Sequence, residues 1–212
     1  MADDLQATRD RILLATLSHV AFDGWTRKAL KAGVADADLG PDMALRAFPD
    51  GIPELVDHFA AWADRRMLAE LARKGAARMR IRDRVAAGVR VRLEVLAAHR
   101  EATRRAMAFL ALPPNAPLAA RLLWRTVDAM WYAAGDNATD FNYYTKRALL
   151  SAVYASTVLC WLADSSEDFA DTWAFLDRRI ADVMKVPAYK ARLKEALARL
   201  PRPSRLLRRA RR

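Results

Sequence analysis

Phe169, Trp173, Leu176, Ile180 and Val183 recur at intervals of four, three, four and three residues, a spacing that an α-helix gathers onto one face and a strand scatters over two. The same rhythm, written mostly in Ala, Leu and Arg, fills the 212-residue chain, and seven glycines and nine prolines are too few to interrupt it often. The chain therefore reads as all-α. With 53% hydrophobic residues it can bury a sizeable core.

The spacing predicts helices over 10–20, 25–35 and 41–48, the last entered through Gly40-Pro41 with proline at its first position. Three short helices so connected resemble a helix-turn-helix head over 1–50. A body over 51–186 follows. Its first helix opens at Pro53 and runs to about 74, and its second covers 78–99 with Ile81, Val85, Val89, Leu93 and Leu96 as the apolar stripe and Arg80, Arg82, Arg84, Arg90 and Arg92 around it. Helices over 101–110 and 118–134 flank a rigid Pro-rich connector at 112–117, and Gly135 fits the position just past a helix end. Thr139 or Asp140 caps a helix to 162, a turn at 164–167 leads into the Phe169 seam, and Pro187 separates a basic amphipathic tail over 187–212.

Charge is unevenly placed. Of the net +11, residues 185–212 carry +10 (11 Lys/Arg against Glu195), 65–105 carry +9, 1–64 carry −5 and 106–184 carry −3. An acidic head repels a polyanion, and its third helix offers Asp42, Met43, Ala44, Leu45, Arg46, Ala47 and Phe48, with no Asn, Gln, Ser or Thr to read base edges. Specific nucleic-acid binding is not expected. In the tail, Tyr189, Leu193, Ala196, Leu197 and Leu200 share a face ringed by Lys190, Arg192, Lys194 and Arg199. Such a narrow stripe among cations suits an anionic headgroup layer, so Tyr189, Lys190, Leu193, Lys194, Leu197 and Leu200 are the expected membrane contacts. A disordered basic tail and nonspecific nucleic-acid contact are the alternatives. The arginines of 78–99 read as a solvated face, with a phospholipid- or partner-facing role as the sharper reading.

Chemistry-bearing motifs are few. Glu54 and His58 stand four apart, but a metal would need further ligands, and His58 reads as an exposed, ordinary histidine. Cys160, the single cysteine, reads as a buried small hydrophobe. The sequence has no Gly-rich phosphate loop, no Gly-x-Ser-x-Gly elbow and no metal-ligand spacing, so no catalytic residue and no cofactor are assigned. The acidic start at 1–5 is unlike a signal or transit peptide and predicts cytoplasmic residence. The longest uncharged run, 148–163, is 16 residues, short of the roughly 20 of a spanning helix.

The densest feature is the block Trp131-Tyr132-Ala133-Ala134-Gly135-Asp136-Asn137-Ala138-Thr139-Asp140-Phe141-Asn142-Tyr143-Tyr144-Thr145-Lys146-Arg147. With Ala21-Phe22-Asp23-Gly24-Trp25, Arg46-Ala47-Phe48-Pro49, Trp62-Ala63-Asp64 and Asp171-Thr172-Trp173-Ala174-Phe175-Leu176 in this order, it resembles the ubiquinone-biosynthesis accessory proteins that bind lipid, a family related in fold to tetracycline-repressor-type regulators. The resemblance runs from about Arg11 to Val183. It implies a homodimer, a pocket for an isoprenoid quinone precursor or phospholipid, and a membrane-binding last helix at the inner face of the membrane. It also implies service to quinone-modifying enzymes, notably the di-iron hydroxylase acting on demethoxyubiquinone, through a patch at Asp128, Trp131 and Tyr132.

On that expectation Phe109, Leu123, Trp124, Val127, Met130, Leu150, Val153, Tyr154 and Trp161 are the lipid-binding candidates, although a filled core would use the same residues. Phe169, Trp173, Leu176 and Ile180 are the dimer candidates, with packing inside one chain as the other reading. Trp131 beside Tyr132 has the aromatic composition of interface anchors, or Trp131 plugs the core. A ligand-responsive transcriptional repressor is the second functional reading.

Overall fold

The computed structural model describes residues 2–135 and 141–199. Among them are nine α-helices and no strand: α1 (Ala2–Asp23), α2 (Arg27–Asp36), α3 (Met43–Ala47), α4 (Ile52–Arg73), α5 (Ile81–Leu96), α6 (Arg100–Leu110), α7 (Ala116–Ala133), α8 (Phe141–Ala163) and α9 (Ala170–Arg199).

Local chemistry sets the boundaries. Thr26 caps α2, its side chain accepting from the Ala29 amide at 3.2 Å. Gly135 ends α7 at φ +80°, a left-handed turn that a side chain would strain. The start of α9 is held by Asp164, whose carboxylate accepts from the amides of Ser166 (2.8 Å) and Thr172 (2.9 Å) and from both hydroxyls. These bonds hold its carboxyl well below the usual carboxylate range.

The head does not stand apart. Buried side chains from Ile12 to Ile180 form one continuous core, and polar ties cross from head to body: Trp25 Nε1 donates to the Ala102 carbonyl at 3.1 Å, and Arg9 meets Glu54 at 2.8 Å. Within the head α1 and α2 cross with backbones nearly touching. A Cβ on Gly33 would lie 2.7 Å from both the Cα and the N of Thr16, so only glycine permits this approach. In the body α4 packs on α5 and α7, α7 on α8, and α9 on α8 and α5.

Several expectations are corrected. α3 begins at Met43, because Gly40-Pro41-Asp42 is spent in the turn that brings the Met43 amide to the Gly40 carbonyl at 2.9 Å. The helix expected over 78–99 is α-helical only from Ile81 to Leu96, with 3-10 turns at Ala76–Arg78 and Ala97–His99, and Ile81 at its first position is 58% exposed. α7 starts at Ala116, so Pro117 lies in its first turn, where a missing N–H costs nothing. Pro187 does not end the last helix: α9 continues to Arg199, since one lost hydrogen bond is set against a run rich in Ala, Leu, Lys and Arg. His58 is buried, only 5% exposed, and pairs with Asp10 at 2.7 Å, tying α4 to α1. Burial, then the nearby Arg9 charge, lowers its pKa despite Asp10. Cys160 is only partly buried. The cap expected at Thr139 or Asp140, the tail beyond 199 with Leu200, and the side chains of Tyr189, Lys190, Leu193, Lys194 and Leu197 lie outside the described residues. Among the described residues no single helix is long and apolar enough to cross a membrane.

Gly33→Ala should destabilise the head by about 1–3 kcal/mol, the scale of overpacking against backbone, read by denaturant unfolding. Asp164→Asn should lower the melting temperature at pH 7 and flatten its acid dependence. The carboxylate titrates below its unfolded value of about 3.9, so its contribution is present above that pH and is lost as pH falls through the depressed folded pKa. Equal acid profiles for variant and parent would refute this role.

Candidate binding cavity and flanking surfaces

Five helices that cannot close on one another leave a cavity of about 310 Å³ between α4, α5, α6, α7 and α8, near the lower bound of the roughly 300–1,000 Å³ of small-molecule pockets. Phe59, Leu96, Leu110, Leu122 and Val158 make most of the wall apolar. Small side chains at Ala60, Ala63, Ala106 and Ala119 provide the space. Ala60, Met107, Leu110, Ala119, Leu123 and Ala155 are partly exposed, and the one fully exposed lining residue, Ala111, puts the opening at the α6–α7 connection.

The opposite end is polar and closed. Arg92, on α5, is 5% exposed, and its Nε donates to Asp64 Oδ1 at 2.8 Å. It also donates to the Tyr154 hydroxyl and, at 3.4 Å, to the Ala60 carbonyl. Thr126 donates to both Asp64 oxygens at 3.0 and 3.2 Å, and Arg125 stands 3.5 Å from Asp64 Oδ2. One guanidinium thus joins α4, α5 and α8, and its carboxylate adds α7. This corrects the expectation that Arg92 belongs to a solvated face. The signal was present: Val85, Val89, Arg92 and Leu96 are spaced four, three and four apart, which places Arg92 in the apolar stripe. Asp64 likewise follows the buried register of Ala60, Met67 and Leu71.

Of the nine expected lipid contacts, Leu123 and Tyr154 line this cavity. Val127, Met130, Leu150, Val153 and Trp161 are buried core around it, each no more than 4% exposed. Phe109 is partly buried outside the cavity wall. Trp124 lies on the outer face, its ring 6.4 Å from Tyr143 and 6.1 Å from Tyr144. The cavity residues that sequence reasoning missed are mostly alanines and the polar end, since small side chains carry no sign of whether a neighbour fills the space they leave.

The flank of α7 carries the expected partner patch in a graded way. Tyr132 is 75% exposed. Trp131 is partly buried under the Lys146 ammonium, 5.6 Å from its ring centroid, and its indole nitrogen is buried without a hydrogen bond. Asp128 accepts from Arg147 at 2.6 Å and from the Tyr143 hydroxyl at 3.1 Å, which joins α7 to α8. In the expected seam, Leu176 and Ile180 of α9 are buried within the single chain and Trp173 lies under Arg90 at 4.7 Å, whereas Phe169 falls before α9 in a 3-10 turn at φ +58°, its ring tilted against Trp161 at 6.0 Å. In the head, the exposed side chains of α3 are Leu45 and Arg46, flanked by Asp42 and Asp50.

Arg92→Ala would leave the buried Asp64 only the more distant Arg125, at 3.5 Å, as counter-charge, so unfolding free energy should fall by about 3 kcal/mol, the low end of the range for breaking a buried pair. Arg92→Met combined with Asp64→Leu should regain a large part of it in the same denaturant assay. A double variant no more stable than Arg92→Ala would show that the charges matter less than the shape.

Residues 116–187, which include α7, α8 and the first part of α9, match the COQ9 family model. The chain is 39% identical over 183 residues to the ubiquinone biosynthesis protein COQ9, mitochondrial, of Homo sapiens, an alignment covering 83% of this chain and 57% of that protein. It is 41% identical to the protein of that name in Rattus norvegicus, over 83% of this chain and 58% of the relative. The chain therefore spans somewhat over half the length of these curated relatives. Among solved structures, a TetR transcriptional regulator from Nitrosomonas europaea superposes with a TM-score of 0.68 at 25% identity, covering 82% of this chain and 97% of the other. The architecture is thus all-α, as the helical spacing predicts, and tetracycline-repressor-like, as the resemblance implies. By the match over 116–187 and its identity to these relatives along most of its own length, the chain is similar to the COQ9 proteins of ubiquinone biosynthesis.

Proposed function

We propose that this chain is a noncatalytic lipid-binding accessory protein of ubiquinone biosynthesis, holding an isoprenoid quinone precursor for ring-modifying enzymes. The observation that carries the reading is the apolar cavity closed by five helices, with its opening at the α6–α7 connection. A cavity with an apolar wall and a few converging polar groups is built to hold a small, mostly apolar molecule. The names of the relatives, mitochondrial ubiquinone biosynthesis proteins, support the pathway.

Two surfaces complete the proposal. The α7 patch at Asp128, Trp131 and Tyr132 docks the demethoxyubiquinone di-iron hydroxylase, with Tyr132 as the exposed aromatic anchor. The basic tail brings the protein to an anionic membrane surface. The head keeps the repressor shape, but two acids flank the Leu45 and Arg46 that α3 exposes, which supports a head without sequence readout.

The purified protein should yield isoprenoid quinone or phospholipid on organic extraction, identified by mass spectrometry. Ala155→Trp, which fills the cavity from α8, should reduce that yield without unfolding the protein. Protein that carries no lipid and takes up none from loaded vesicles would remove the cavity from the function. Tyr132→Ala should weaken hydroxylase binding by about 2 kcal/mol, the hot-spot scale, with an unchanged melting temperature. Trp131→Ala is expected to lower both, because that ring is partly buried. Replacing Lys190, Arg192, Lys194 and Arg199 by Gln should reduce co-sedimentation with anionic vesicles, and undiminished sedimentation would exclude the tail.

A further inference from the structure

The closed end of the cavity has more hydrogen-bond donors than acceptors. Arg92 spends three of its five N–H groups, on Asp64, Tyr154 and Ala60, leaving two unspent. Tyr154 accepts from Arg92, and among the described residues its own O–H has no acceptor. Thr126 and Thr103 are already committed as donors, to Asp64 and to the His99 carbonyl at 3.0 Å. Buried donors left without partners cost stability, so this end is chemically incomplete when the cavity holds only hydrocarbon.

We infer that the Arg92–Tyr154 end is a head subsite for a neutral ligand bearing carbonyl or ether oxygens, whose apolar chain runs toward the α6–α7 opening. This rests on the lipid-binding reading above and adds the ligand's polarity and orientation. Neutral is specified by charge: Asp64 answers Arg92 at 2.8 Å and Asp57 answers the neighbouring Arg125, so a phosphate or carboxylate brought to this buried end would meet no unpaired cation and would carry its own desolvation cost. A ligand that is itself chiefly a donor would face donors. An acceptor oxygen satisfies the Tyr154 O–H and a free Arg92 N–H at once. Burial pushes the Tyr154 phenol up, so it keeps the proton it donates at neutral pH.

The test compares decylubiquinone with decylbenzene, the same chain on a ring without oxygens, by equilibrium dialysis against the full chain in matched detergent. The parent protein should prefer decylubiquinone by about tenfold or more, and Tyr154→Phe should erase most of that preference while leaving decylbenzene binding unchanged. About tenfold is what one well-made buried hydrogen bond is worth. Equal affinity of the parent for both ligands would overturn the head subsite and leave the lipid-binding reading standing. A preference that persists undiminished in a folded Tyr154→Phe would overturn the assignment to this end of the cavity. Binding of neither ligand would overturn the subsite and the lipid-binding reading together. Should Tyr154→Phe melt below the assay temperature, the comparison of the two ligands on the parent protein decides by itself. A dioleoylphosphatidylglycerol competitor that displaces decylubiquinone at equal concentration would overturn the requirement for a neutral head.

Discussion

A guanidinium in the middle of a helical bundle has to be answered on several sides, because each buried charge left unpaired costs several kcal/mol. Arg92 is answered by a carboxylate from α4, a phenol from α8 and a carbonyl from α4, and the carboxylate is fixed in turn by Thr126 of α7. Hydrophobic contact alone would let these helices slide by a residue or a turn with little loss. The polar cluster permits one register. The walls of the cavity are set by that register, because alanines at 60, 63, 106 and 119 leave space only when they face one another.

The same helices divide their faces between inside and outside. On α7, Leu122, Thr126, Val127 and Met130 are buried, while Trp124 and Tyr132 face outward. Asp128 and Trp131 lie between these faces and tie to α8 through Arg147 and Lys146. The cavity wall and the outer patch therefore share α7 and its neighbour α8. The region matched by the family model, 116–187, covers this pair and the first part of α9.

The polar cluster also separates the body from the head in kind. Head and body meet through ties such as Arg9 to Glu54, His58 to Asp10, and Trp25 to the Ala102 carbonyl, which orient but enclose no space. Gly33 lets α1 and α2 approach to backbone contact, so the head is dense where the body is hollow. The exposed third-helix surface of the repressor-like head is short and flanked by Asp42 and Asp50.

Much of this was legible without coordinates. The three-and-four spacing specified an all-α chain, Pro53 marked the first turn of α4, Gly135 the end of α7, and the ordered motifs the family resemblance, because these are local signals or strings long enough to be specific. Expectations for single residues depended on which face a neighbour covers. Arg92 and His58 looked like surface residues because charged and polar side chains usually are, yet each sits in an apolar register that a partner element covers, and each finds its counter-group far along the chain, at Asp64 and Asp10. Cavity and core draw on the same apolar alphabet, so Val127, Leu150 and Trp161 could be named as buried but not as wall or filler. The sequence by itself determined the helices, their punctuation and the family resemblance. Tertiary structure decided where the bundle stays open and which buried donors face the opening, because both depend on distances between residues that share no local pattern.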